Sequence, residues 1–132
     1  MKPFLHWLAV AAISFGSLGF GYHTYLEANP FRVAVIVDSS HPMQPRWGKV
    51  LARLDDLDDR RYTAFSLFSE KKKVHGWRST LRPGDLVPYA PRDFSKLSTM
   101  SEIDQAEEVI FLTNASEDDI DAYDDWTILR VD

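Results

Sequence analysis

The hydrophobic positions of this chain fall into one long block near the N-terminus, short continuous runs further on, and a single stripe at helical spacing. From Phe4 to Tyr25 the sequence is apolar apart from His6, Ser14, Ser17, His23 and Thr24. About 22 such residues make roughly 33 Å of helix, enough to cross the hydrocarbon core of a bilayer. A cleavable signal peptide would share the positive start at Lys2 and the small residues around Ser17-Leu18-Gly19, but signal cores usually run only about 7 to 15 residues. Trp7, Tyr22 and Tyr25 stand near the ends of the block, where aromatic rings favour the headgroup boundary. The pattern predicts an uncleaved anchor over residues 1–27, a connector over 28–31 broken by Pro30, and one folded domain over 32–132.

Within that domain Val33 to Val37 is an unbroken run of β-branched and small apolar residues, which predicts a strand covered on both faces. Asp38 falls at its C-terminal edge. From Pro42 to Leu57 the apolar positions Trp47, Val50, Leu51, Leu54 and Leu57 keep helical spacing, and the acidic run Asp55, Asp56, Asp58, Asp59 opposes the helix dipole and marks the exit to a solvated loop. "RYTAFSLFS" (61–69) and, after "EKKK", Val74 to Trp77 read as two strands joined by a tight turn, with the three lysines as a solvated turn in preference to an anionic ligand site. Leu81 to Phe94, rich in proline, reads as an ordered surface loop. Ser101 with Asp104 and Ser116 with Asp119 look like helix starts, "EVIFLTN" is a second continuous strand, and Trp126 to Val131 is a last one. Strands alternating with helices predict an α/β fold: a mainly parallel sheet with flanking helices and one antiparallel hairpin strand, behind one N-terminal transmembrane helix.

Composition narrows the partners. Of 132 residues, 20 are acidic and 15 basic, a formal net charge of −5, which makes nucleic acid an unsuitable partner. There are no cysteines, so disulfides, thiolate metal sites and a cysteine nucleophile are excluded. Lys2 precedes the apolar block and Glu27 follows it, so the charge bias puts the N-terminus in the cytoplasm and the domain in the periplasm or outside the cell.

The chemistry concentrates at strand ends. In open parallel sheets ligands bind beyond the carboxyl ends of strands, where the winding reverses, and two polar clusters fall there: Asp38-Ser39-Ser40 and Thr113-Asn114. Read from the residues alone, Asp38 and the serines are helix caps for the segment beginning at Pro42, and Asn114 is a turn residue. His41 beside Ser39 and Ser40 invites a nucleophile and base, but no Gly-x-Ser-x-Gly elbow is present. His75 with Trp77 reads as hairpin packing, and "EDDIDAYDD" (117–125) lacks the glycine and spaced acids of a calcium loop.

A strand ending in Asp-x-Ser, then a helix, a hairpin and a later strand ending in "LTNAS", resembles the von Willebrand factor A domain over about 100 residues. The resemblance implies a divalent cation, usually Mg²⁺, held by Asp38 and Ser40, with Asn114 in the place of the family's second aspartate and Thr99 or Thr80 as its threonine. Pro42 replaces the second serine and offers no hydroxyl, so the site it implies is reduced. "VIVDSS" and "VIFLTNAS" also resemble the first two motifs of haloacid-dehalogenase-type phosphatases, with Asp38 as nucleophile and Thr113 as phosphate ligand. That chemistry needs an acid two residues after the nucleophile, and position 40 is serine.

The expectation is a membrane-anchored protein-interaction module, not an enzyme and without an obligatory cofactor, serving as an accessory subunit of a membrane complex. Its protein partner, itself membrane-associated, would meet the rim formed by Asp38, Ser39, Ser40, His41, Tyr89 and Asn114, with Tyr89 or Trp77 as aromatic anchor. A phosphate-ester hydrolase acting at Asp38 and a purely structural subunit are the alternatives.

Overall fold

The computed structural model describes residues 2–132 and divides at Pro30 into two units. The first is a single helix, α1 (Lys2–Ala28), with no buried residue. It is long and apolar enough to cross a membrane. Trp7, Phe15, Leu18, Phe20 and Tyr25 are all exposed on it, and near its C-terminal end His23 pairs with Glu27 one turn on, at 3.2 Å.

The second unit is an α/β domain. Its elements run β1 (Phe31–Val37), a 3₁₀ helix (His41–Arg46), α2 (Trp47–Asp58), β2 (Thr63–Ser69), β3 (Lys73–Arg78), two 3₁₀ turns (Leu97–Thr99 and Ser101–Gln105), β4 (Glu108–Thr113), α3 (Glu117–Ile120), a further 3₁₀ turn (Asp121–Tyr123) and β5 (Thr127–Arg130). The sheet order is β3-β2-β1-β4-β5. β1 pairs in parallel with β2 and with β4, β4 in parallel with β5, and β3 is antiparallel to β2. The mixed sheet, mostly parallel with one antiparallel hairpin, is thus the one that the alternation of patterns predicts.

Period-two alternation explains why β1 is apolar from Val33 to Val37. Val33, Val35 and Val37 enter one core with Met43, Val50, Leu54, Leu57, Leu81, Leu86 and Leu112. Ala34 and Ile36 enter the other with Phe68, Leu97, Ile103, Phe111, Ala115 and Ile120. A strand covered on both sides can place a hydrophobe at every position, each worth about 1.5 to 3 kcal/mol when fully buried.

The expected helix from Pro42 is divided. Pro45 has no N–H to give, and its ring would clash with the carbonyl four residues back, so His41–Arg46 wind as 3₁₀ and α-helical bonding begins only at Trp47. Leu51, counted in the apolar stripe, is 38% exposed; the buried face of α2 is Val50, Leu54 and Leu57. Asp58, at the acidic end, is not merely solvated: its Oδ1 accepts the Leu81 amide at 2.7 Å and ties α2 to the start of the proline-rich loop.

Candidate functional site

Chain winding proceeds from β1 through α2 to β2 on one side, while β4 lies on the other side of β1, so the direction reverses between β1 and β4. The two polar clusters picked out from the sequence lie at the carboxyl ends of these neighbouring strands, where Val37 is in register with Leu112 and the Asp38 amide donates to the Leu112 carbonyl at 2.9 Å. The reversal of winding at which ligands would be expected is present. The proline-rich loop crosses it.

That loop crosses the exit of β1 as a strap. The Tyr89 amide donates to the Ser39 carbonyl at 2.7 Å, and the His41 amide donates to the Ala90 carbonyl at 3.0 Å. Both bonds require Ala90 to turn the backbone at φ +61°, a left-handed conformation that costs a side-chain-bearing residue about 1 to 2 kcal/mol. The strap then sends Arg92 down to Asp38.

Asp38 is wholly buried, and its carboxylate accepts four hydrogen bonds. Oδ1 accepts the Ser40 amide at 3.1 Å and the Ser40 hydroxyl at 2.5 Å; Oδ2 accepts the Thr113 hydroxyl at 2.7 Å and Arg92 Nε at 3.0 Å. Arg92 also donates through Nη2 to Asn114 Oδ1, and Asn114 Nδ2 donates to the Pro42 carbonyl at 3.1 Å. A polar group taken out of water must find partners inside the protein, and this carboxylate is both hydrogen-bonded and paired with a guanidinium.

A second carboxylate repeats the arrangement on the other side of β1. Glu70, also wholly buried, accepts the Ser39 amide at 2.7 Å and the Ser39 hydroxyl at 3.0 Å through Oε2, while its Oε1 pairs with Lys71. The Lys71 ammonium lies 4.9 Å from the centre of the Tyr89 ring, so this pair also touches the strap. Consecutive serines thus serve opposite acids: Ser39 serves Glu70, Ser40 serves Asp38.

Several sequence expectations need correction. Asp38 does not cap a helix, because its oxygens bind Ser40, Thr113 and Arg92. Ser40 stands at the N-cap position but makes no side-chain capping bond, and Ser116 likewise gives its hydroxyl to Asp119 Oδ2 at 2.9 Å instead of accepting a helix amide. Glu70, which directly precedes the three lysines of the turn, is buried. The threonine beside Asp38 is Thr113; Thr99 donates to the Lys96 carbonyl at 2.7 Å, and Thr80 is exposed. Neither serine hydroxyl is directed to His41.

Of the six rim residues, Asp38, Ser39 and Ser40 are buried and support the strap from below, Asn114 is half-buried, and only His41 and Tyr89 are exposed. Trp77 is half-buried and packs into the core on the Ile36 face, with Arg32 5.7 Å over its ring. Val87, exposed beside Tyr89, was not singled out in the sequence.

The residues do not fit a divalent cation while Arg92 is in place. The oxygen set offers one carboxylate, and a guanidinium already holds both Asp38 Oδ2 and Asn114 Oδ1, where hard cations want several oxygen ligands with anionic ones among them. Among the described residues there is no group of three or more His, Asp or Glu side chains suited to a metal. No family model matches the chain, and neither a curated protein nor a solved structure matches it.

Proposed function

We propose that the protein is a single-pass membrane protein whose outer domain, a reduced von Willebrand A-like module, displays the strap Leu86–Arg92 to a protein partner without the help of a cation. The observation that carries this reading is the use made of the two buried carboxylates. Asp38 and Glu70 are the groups that could serve catalysis, yet each is saturated by serine donors and by a cation, Arg92 or Lys71, that touches or belongs to the strap. A nucleophile needs a free oxygen and an approach path, and Asp38 has neither. A display scaffold needs a loop held rigid, and that is what these bonds supply.

Support for the von Willebrand A-like reading comes from Asp38-x-Ser40 standing beside Thr113-Asn114 at the reversal of winding. Support for the anchor comes from the length and exposed aromatic ends of α1. The N-terminus is cytoplasmic and the domain periplasmic or extracellular on the charge bias of Lys2 and Glu27. Within a membrane complex the chain is an accessory subunit, not an enzyme, since its exposed strap residues Val87 and Tyr89 suit contact and carry no reactive group.

The test is photo-crosslinking in intact membranes, with a photoreactive amino acid placed at Val87, at Tyr89 or, as a control on α2, at Arg53. Discrete protein adducts from the two strap positions and none from Arg53 are expected. Equal labelling at all three positions, or none at Val87 and Tyr89, would overturn the reading, and so would phosphatase activity abolished by Asp38→Asn.

A further inference from the structure

We infer that the domain associates head to tail with a second copy of itself, the basic cleft between α2 and β5 of one copy receiving the acidic turn 117–125 of the next. The contact uses neither the strap nor Asp38, so it stands apart from whatever the strap binds.

The basic cleft is built from two elements. Lys49 and Arg53, four residues apart, share one face of α2, and both are exposed. With Arg130 at the end of β5 they line a cleft of about 350 Å³ whose acids are Asp56 and Asp132. Asp132 engages two of the three cations: Lys49 donates to its carbonyl, and Arg130 Nε lies 3.9 Å from its exposed carboxylate. Arg53 has no partner among the described residues. On a chain of formal net charge −5, a cleft lined by three cations suits an acidic partner.

The chain carries the complementary surface itself. Six of the nine residues from 117 to 125 are acidic. Glu117, Asp121 and Asp124 line a second cleft, of about 300 Å³, and none of them has a basic partner among the described residues. α2 packs through Val50, Leu54 and Leu57 on the sheet face of Val33, Val35 and Val37, whereas Ile120 and Tyr123 pack on the face of Ala34 and Ile36. The two clefts therefore lie on opposite faces of one sheet, and a single domain cannot bring them together. Both reach β5, through Arg130 and Ile128, and β5 is an edge strand with β4 as its one neighbour. Unlike patches on opposite faces make a heterologous contact, which closes as a ring or repeats as a row. Exposed ion pairs are weak singly, so such a contact forms where copies are concentrated, as α1 would concentrate them in one membrane.

The chain has no cysteine, so engineered pairs report the contact on a clean background. Ala52 lines the basic cleft and Ala122 lies in the acidic turn, and both are exposed and uncharged. Full-length chains bearing Ala52→Cys and Ala122→Cys, separately tagged and made in one membrane, are expected to form a mixed disulfide under mild oxidation, with far less of either chain joined to its own kind. Adding Arg53→Glu to the first chain is expected to lower the mixed adduct about tenfold, because reversal turns attraction into repulsion. Adding Asp121→Arg to the second chain should then restore it, a rescue that loss of folding cannot imitate. Absence of the mixed adduct, like-with-like adducts of equal yield, or a mixed yield that ignores Arg53→Glu or does not return with Asp121→Arg would overturn the inference.

Discussion

Arg92 Nε donates to Asp38 Oδ2 at 3.0 Å across 54 residues of sequence, joining the proline-rich strap to the end of the first strand. The pair is worth little as a unit. At an effective dielectric of about 20 its attraction is about 4 kcal/mol, and taking two charges out of water costs several kcal/mol each, so attraction and desolvation nearly cancel. Its value is positional: it selects one placement of the strap.

Removing one partner is a different matter, because it leaves the other charge buried. Breaking such a pair costs about 3 to 5 kcal/mol, and the Ser40 and Thr113 donors that remain on Asp38 reduce this, so Arg92→Ala is expected to cost about 2 to 3 kcal/mol. Arg92→Ala combined with Asp38→Asn should cost less than the sum of the two single changes by about 1 to 2 kcal/mol. Urea unfolding of the full-length chain in detergent, followed by tryptophan fluorescence, measures both; strict additivity would mean that the two side chains do not act on each other.

Glu70 offers an independent check on the second anchor. A glutamate in a solvated hairpin tip tolerates alanine within about 0.5 kcal/mol, whereas loss of a buried acceptor that holds the Ser39 amide and hydroxyl should cost about 2 to 3 kcal/mol. Glu70→Ala is therefore expected to unfold at distinctly lower urea, while Lys72→Ala, exposed in the same turn, should be close to neutral.

Why Asp38 and Asn114 could be read from the sequence, and Arg92 and Glu70 could not, follows from the range of the signals. Asp38 and Asn114 terminate continuous apolar runs, and parallel-sheet topology brings the ends of such runs to one edge. Those are local patterns plus one topological rule. Glu70 sits in "SEKKK", whose composition is that of any solvated turn; only the β2–β3 hairpin beside β1 reveals that its side chain points under Ser39. Arg92 lies in a loop whose path is set by three prolines and by Ala90 in a left-handed conformation, neither of which has a periodicity to read. The buried tie from Asp58 to Leu81 was hidden in the same way, within a run of acids that looked uniformly solvated.

Ala90 tests whether the strap is held under strain. At φ +61° a β-branched side chain is much worse placed than a methyl group, and glycine is free of penalty. Ala90→Val is expected to lower stability by about 2 kcal/mol and to release the Tyr89 and His41 amide bonds, so that limited proteolysis cuts between Leu86 and Arg92. Ala90→Gly should leave both stability and cutting nearly unchanged, since relief of strain is offset by the greater freedom of glycine in the unfolded chain. Equal protection of the valine variant would show that the strap does not depend on this turn.

The far end of the strap is anchored on the opposite face of the sheet, and there alkaline pH is the probe. Phe94 meets Phe111 edge to face at 5.2 Å, and Tyr123 stacks on Trp126 at 4.5 Å while its hydroxyl lies 3.4 Å from the Phe94 carbonyl. Burial raises the Tyr123 pKa above the usual 10.0, because the phenolate would lose hydration in this aromatic setting. The sign follows from proton binding. Below the unfolded value both states hold the proton and stability is full; as pH rises past it the unfolded chain ionises first, so stability falls until the folded phenol titrates as well. Tyr123→Phe should match the wild type to within about 1 kcal/mol at neutral pH, because the bond it loses is long and weak, and should lose less stability on the alkaline side. Urea unfolding at neutral and alkaline pH distinguishes the two chains; identical alkaline losses would place the ionising group elsewhere.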